Sequence, residues 1–179
     1  FISKYGAGEI LKGIRSDLRK FGISFDKWFS QASLSESKIK VVLSDLRARG
    51  YVFDRDGAVW FKSTAFGDGK DRVVIKSDGS FTYLAPDIAY HLNKLKRGFD
   101  RLIDIWGPDH HGYIPRLKAS VEALGYDRKK ISVLIVQLAT LFRGGETLSM
   151  STRKGEFITL GEVIDEVGGD VTKFFFLMR

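Results

Sequence analysis

Ile103-Asp104-Ile105-Trp106-Gly107-Pro108-Asp109-His110-His111-Gly112-Tyr113 reads as a buried strand that runs into a glycine turn, an acid, two histidines and then a helix. Its neighbours keep that rhythm. Before it, a helix is expected from Pro86, a favoured first-turn residue, with Ile88, Leu92 and Leu95 on one face and an end near Gly98. After it come a helix over about 112–124, carrying Ile114, Leu117, Val121 and Leu124, and a strand over 131–136. Helix, strand, helix, strand argues for an α/β fold with a parallel sheet and helical crossovers. Ligands of such sheets bind beyond the carboxyl ends of the strands. The turn at Gly107 is therefore the first place to look for a site.

The first half of the chain has a different grammar. Ile10, Leu11, Ile14, Leu18 and Phe21 make a helical apolar stripe that ends before Gly22. Ser33-Leu34-Ser35-Glu36 has the capping-box pattern and predicts a second helix, through Ile39, Val42, Leu43 and Leu46 to Gly50. Tyr51–Phe53 and Ala58–Phe61 around Asp54-Arg55-Asp56-Gly57 predict a β-hairpin. Arg72–Lys76 and Ser80–Leu84 around Ser77-Asp78-Gly79 predict a strand, a turn and a strand, with Tyr83 at the end of the latter. Thr159-Leu160-Gly161-Glu162 offers a further capping box, and a last helix is expected from Asp170 through Phe176.

Composition narrows the chemistry. The chain has no cysteine, which excludes disulfides, thiol nucleophiles and thiolate zinc sites. With His91, His110 and His111 as its only histidines, no dedicated metal site is expected. A net charge of +7 favours polyanionic partners such as nucleotides or nucleic acid. No apolar run approaches the roughly 18 residues of a membrane span. Phe1 follows no leader pattern, and Leu177-Met178-Arg179 fall inside a helical pattern, so both ends read as cut from a longer protein.

Three segments carry candidate chemistry. A glycine at Gly107 lets a ligand approach the backbone, and Asp109 can accept hydrogen bonds from ribose hydroxyls; alternatively Asp109 caps the next helix. Met150-Ser151-Thr152-Arg153-Lys154-Gly155 sets two hydroxyls beside two cations and suits a phosphate clamp or, more blandly, a solvated basic loop. It is not a Walker loop. In Tyr83-Leu84-Ala85-Pro86-Asp87-Ile88-Ala89-Tyr90-His91, Asp87 falls in a helix first turn, where an acid complements the dipole. A carboxylate there, with a phenol beside it, also suits a guanidinium or ammonium group. His91 shares the helix face of Asp87 and reads more simply as a packed structural histidine.

Taken together, these segments resemble the catalytic domain of class I arginyl-tRNA synthetases of the bacterial branch. The matching text also includes Lys96-Arg97-Gly98-Phe99-Asp100, Arg143-Gly144-Gly145-Glu146 and Phe174-Phe175-Phe176-Leu177-Met178-Arg179, and it is densest from about Tyr51 onward. The resemblance implies the second half of a Rossmann-type fold plus an α+β connective insertion. It divides the chain into a helical and hairpin insertion at 1–70, the catalytic half at 71–158 and the start of a helical segment at 159–179. It implies activation of arginine by ATP, with Mg2+ accompanying the nucleotide, and transfer to tRNA(Arg) in the cytoplasm. No membrane is involved, and the segment alone is expected to be monomeric.

By motif, Tyr83, Asp87 and His110 would bind arginine, and Gly107, Asp109, Met150 and Ser151 would bind ATP. Arg153 and Lys154 would act on the phosphates. The signature loop departs from the class pattern Lys-Met-Ser-Lys-Ser, because Ser149 and Thr152 stand where the lysines belong. No His-x-Gly-His occurs in the sequence, so the segment alone is not expected to aminoacylate. Two other readings share the charge: an RNA-binding module on a synthetase fold, and a class I enzyme for lysine.

Overall fold

A computed structural model describes residues 2–137, 140–147 and 157–178. In chain order its helices are α1 (Ile2–Lys20), α2 (Glu36–Ala48), α3 (Leu84–Leu95), α4 (Ile114–Ala123), α5 (Leu160–Val167) and α6 (Gly169–Leu177). Its strands are β1 (Val52–Arg55), β2 (Ala58–Phe61), β3 (Arg72–Ile75), β4 (Leu102–Trp106), β5 (Ile131–Ile135), β6 (Phe142–Arg143) and β7 (Glu146–Thr147). The chain divides into two compact units, Phe29–Leu138 and Phe1–Trp28 with Ala139–Arg179.

The unit Phe29–Leu138 holds the α/β core. β4 and β5 pair in parallel, Leu102 against Ile131 through Trp106 against Ile135, with α4 as the crossover between them. β1, β2 and β3 form a separate antiparallel sheet. Its hairpin turns on Asp56 and Gly57, both at positive φ, the geometry that matches strand twist, so β1 runs two residues further than expected. Phe61, Leu46, Val74, Ile88, Leu117, Val121 and Ile131 are fully buried between the sheets and α2, α3 and α4. The loop around Asp68 is also built into this core. Asp68 accepts two hydrogen bonds from Arg72, both at 2.7 Å, and Ser63 donates to it at 3.0 Å.

Two local expectations fail for identifiable reasons. Ser80–Leu84 does not form a strand: one bridge joins Ile75 to Phe81, and Tyr83 is already helical at φ −57° and ψ −29°. Pro86 lacks an N–H, but the first helical residues have no intrahelical acceptor, so α3 extends back to Leu84. Leu84 and Ala85 bury there. The capping box at Ser33–Glu36 does not form either. The cap is Ser35, which makes Glu36 the first helical residue, and the Ser33 hydroxyl donates instead to the Ser30 carbonyl at 2.6 Å.

The other unit contains α1, the β6–β7 hairpin, α5 and α6. The hairpin turns on Gly144 and Gly145, at φ 60° and 86°. The α1 stripe is only partly covered: Phe21 is buried, with its ring edge-on to Phe176, while Ile10 and Ile14 are exposed. At α5 the expected capping box is present. Glu162 donates its backbone N–H to the Thr159 hydroxyl at 3.1 Å, and its carboxylate accepts the Thr159 N–H at 2.6 Å. Thr159→Ala is expected to cost about 1 kcal/mol locally. Amide exchange in the first turn of α5 should then speed up roughly five-fold, with α3 unaffected. No described helix is long and apolar enough to cross a membrane.

Candidate functional site

The site begins where β4 ends. The Trp106 carbonyl accepts the Val136 N–H at 2.8 Å, closing the last rung of the parallel pair. Gly107 is extended, at φ −72° and ψ 162°, and a 3-10 turn follows over Pro108–Tyr113. Neither usual internal reason for a glycine holds at Gly107: its φ is negative, and an added Cβ would meet nothing within 4 Å. The open space leaves the backbone approachable from outside. Asp109, His110 and His111 are exposed at this carboxyl end of the strand. No side chain caps the turn, so Asp109 does not take the capping role. Trp106 backs the turn, with the His110 and Tyr113 rings edge-on to it at 6.2 and 5.8 Å.

The second part is the start of α3. Tyr83 and Asp87 are one turn apart, joined by the Asp87 N–H bond to the Tyr83 carbonyl at 3.3 Å. Tyr83 is 85% exposed and Asp87 half-buried, so one is free to move onto a ligand and the other is fixed. Asp87 borders a cavity of about 290 Å³ with Phe29, Leu34 and Tyr90, whose aromatic rings stack at 4.4 Å.

Tyr113 joins the two parts. Its hydroxyl donates to Asp87 Oδ2 at 2.7 Å. Burial, then the bond to Asp87, pushes the Tyr113 phenol far above its ordinary value, so it stays a donor. The geometry therefore brings Asp87 beside the Gly107–Tyr113 turn. One Asp87 oxygen is held by Tyr113; among the described residues the other, Oδ1, accepts no side-chain bond.

Beneath this surface lies a buried charge cluster. Asp104, on the inward face of β4, takes Lys94 Nζ at 2.6 Å on Oδ1 and His91 Nε2 at 2.8 Å on Oδ2. The His91 Nδ1 lies 2.8 Å from the Asp87 carbonyl. Burial alone raises the Asp104 carboxyl; the bonds from His91 and Lys94 outweigh it and hold it below the usual carboxylate range. Asp104, Lys94 and the Tyr113 hydroxyl are not among the residues that the sequence singles out. Alternation hides the first: an acid flanked by Ile103 and Ile105 reads as the polar face of a strand, whereas here Ile103 and Ile105 are exposed and Asp104 shares the inward face with Leu102 and Trp106.

Met150, Ser151, Arg153 and Lys154 lie outside the described residues, as does the rest of 148–156. Among the described residues no group of three or more His, Cys, Asp or Glu side chains could hold a metal ion.

Comparison with known proteins adds a lineage. Residues 9–173 match the family model described as tRNA synthetases class I (R), catalytic domain. The chain is 56% identical to the arginine–tRNA ligase of Bacillus pumilus and 54% identical to that of Citrifermentans bemidjiense, in both cases over its whole length. It spans 32% of each of those relatives. It also superposes on the crystal structure of a Campylobacter jejuni protein assigned as an arginyl-tRNA synthetase. The TM-score is 0.90 at 37% identity, covering 98% of this chain and 38% of that one.

Proposed function

The chain belongs to the class I tRNA synthetases (R) catalytic-domain family, and from that premise we propose that it is the part of an arginine–tRNA ligase that reads the arginine side chain and one edge of the ATP. The observation that carries this reading is the Asp87 carboxylate, oriented by Tyr113 on one oxygen, with no side-chain bond to the other among the described residues, one helical turn from an exposed Tyr83. A fixed, half-buried carboxylate suits a planar guanidinium, which can bond both of its oxygens. Lysine offers a point charge in its place. His110, on the adjoining turn, lines the same end of the sheet.

In the first step the arginine carboxylate attacks the α-phosphate of ATP, forming arginyl-adenylate and releasing pyrophosphate. In the second, the arginyl group passes to the terminal adenosine of tRNA(Arg). Neither step asks for a protein nucleophile, in keeping with a chain without cysteine. These residues contribute by holding the two reactants in line. Gly107 and Asp109 would take the ribose, the latter as hydrogen-bond acceptor. Met150, Ser151, Arg153 and Lys154 would lie over the triphosphate and stabilise its charge. Mg2+ would accompany the triphosphate and offset its charge, and Asp109 is the one carboxylate that the turn could offer it.

In this reading residues 1–70 are the connective insertion, 71–158 the second half of the catalytic fold and 159–179 the start of the next helical segment. The enzyme works in the cytoplasm. The test is ATP–pyrophosphate exchange by the full-length protein, supplied with tRNA(Arg) and with arginine, lysine or citrulline. Arginine is expected to outpace the others by roughly 10⁴-fold, because a site built on buried hydrogen bonds rejects a substrate that leaves them unmade. The 179-residue chain alone is expected to give no exchange. Equal rates with lysine would refute the arginine assignment.

A further inference from the structure

His91 lies between two hydrogen-bond acceptors. On one side is the Asp104 carboxylate of β4, at 2.8 Å from Nε2; on the other is the Asp87 backbone carbonyl, at 2.8 Å from Nδ1. A carbonyl and an ionised carboxylate accept only, so both contacts are satisfied when each ring nitrogen carries a proton. The side chain is 6% exposed, and Lys94 holds Asp104 from its other oxygen at 2.6 Å. The Tyr90 ring lies edge-on to the His91 ring at 6.0 Å. The cluster is largely shielded from solvent, and a packed histidine needs only one partner.

Its connections are what set it apart. Asp104 is two residues before Trp106, where β4 ends and the Gly107 turn starts. Asp87 is the residue whose carbonyl His91 touches and whose carboxylate Tyr113 touches. Asp87 is thus held at its backbone from β4, through His91, and at its side chain from the turn beyond β4, through Tyr113. We propose that His91 is a positioning residue for the amino-acid substrate: it ties α3 to β4 and so fixes Asp87 against the turn that follows Trp106. The inference rests on Asp87 being the carboxylate that binds arginine.

The experiment compares full-length wild type, His91→Ala, His91→Gln and Asp87→Asn in arginine-dependent ATP–pyrophosphate exchange. Loss of the hydrogen bonds that tie the Asp87 backbone to β4 is expected to raise the arginine KM roughly ten-fold in His91→Ala. The Gln variant keeps one donor and should fall between it and wild type. The ATP KM should stay within about two-fold in both, since the turn itself is untouched. A merely structural role would lower the active fraction, and with it kcat, while leaving both KM values alone; that pattern, or an equal rise in both, overturns the proposal. Should His91→Ala fail to fold, His91→Gln decides by the same KM split. Asp87→Asn separates the two layers of argument. If it does not act selectively on arginine, the reading of Asp87 is wrong. If it does and the His91 variants do not, only the role of His91 is wrong.

Discussion

Asp87→Asn in the full-length protein is expected to raise the arginine KM by several hundred-fold and to leave the ATP KM within a few-fold. The magnitude follows from what the substitution leaves behind. Truncating one partner of a buried, hydrogen-bonded charge pair costs about 2–5 kcal/mol, and each 1.4 kcal/mol is a factor of ten. Asparagine keeps one acceptor but turns a donor toward the guanidinium, so both the charge and the second bond are lost. The fold should tolerate the change, because Asp87 is half-buried and Tyr113 can still donate to the amide oxygen. Tyr113→Phe removes only the orienting bond at 2.7 Å and should cost arginine affinity roughly ten-fold. Steady-state exchange kinetics with each substrate varied in turn give both numbers. If the two KM values rise equally, Asp87 serves the fold and not the guanidinium.

The elements that place this site could be read from the sequence where local rules act alone. Pro86 marked a helix start, the run Ile103–Trp106 into Gly107-Pro108 marked a strand ending in a turn, and Thr159 with Glu162 marked a cap. Asp87 and His91, four residues apart, fell on one helix face by spacing alone. What local rules could not show was their meeting with residues far along the chain. The bond from Tyr113 to Asp87 spans 26 residues and depends on how the 3-10 turn packs on α3. The bond from His91 to Asp104 spans 13 and depends on which face of β4 turns inward. Tyr83 was misplaced on a strand because Thr82 and Phe81 do resemble one; the helix wins since Leu84 and Ala85 gain full burial by joining it.

Asp104→Asn should cost the unit Phe29–Leu138 about 3 kcal/mol at neutral pH, the largest stability effect expected of any substitution near the site. Asp104 is 12% exposed; it compensates the Lys94 ammonium, 15% exposed, and is hydrogen-bonded to His91, 6% exposed. Removing its charge leaves the Lys94 ammonium largely buried without its anion. An apolar replacement of the whole trio would be far milder, because the penalty comes from the unpaired charges. Amide exchange across α3 and β4 should speed up on the order of a hundred-fold, while α5 is unchanged.

The pH dependence has a definite sign. Asp104 titrates lower in the folded than in the unfolded chain. Its contribution is therefore complete above the unfolded value of about 4, and it is lost as pH falls through the lowered folded value. The exchange gap between wild type and Asp104→Asn should accordingly be full at pH 7 and shrink in acid below about pH 4. A gap that persists undiminished in acid would mean that the asparagine disturbs packing and that the carboxylate charge is not what holds α3 to β4.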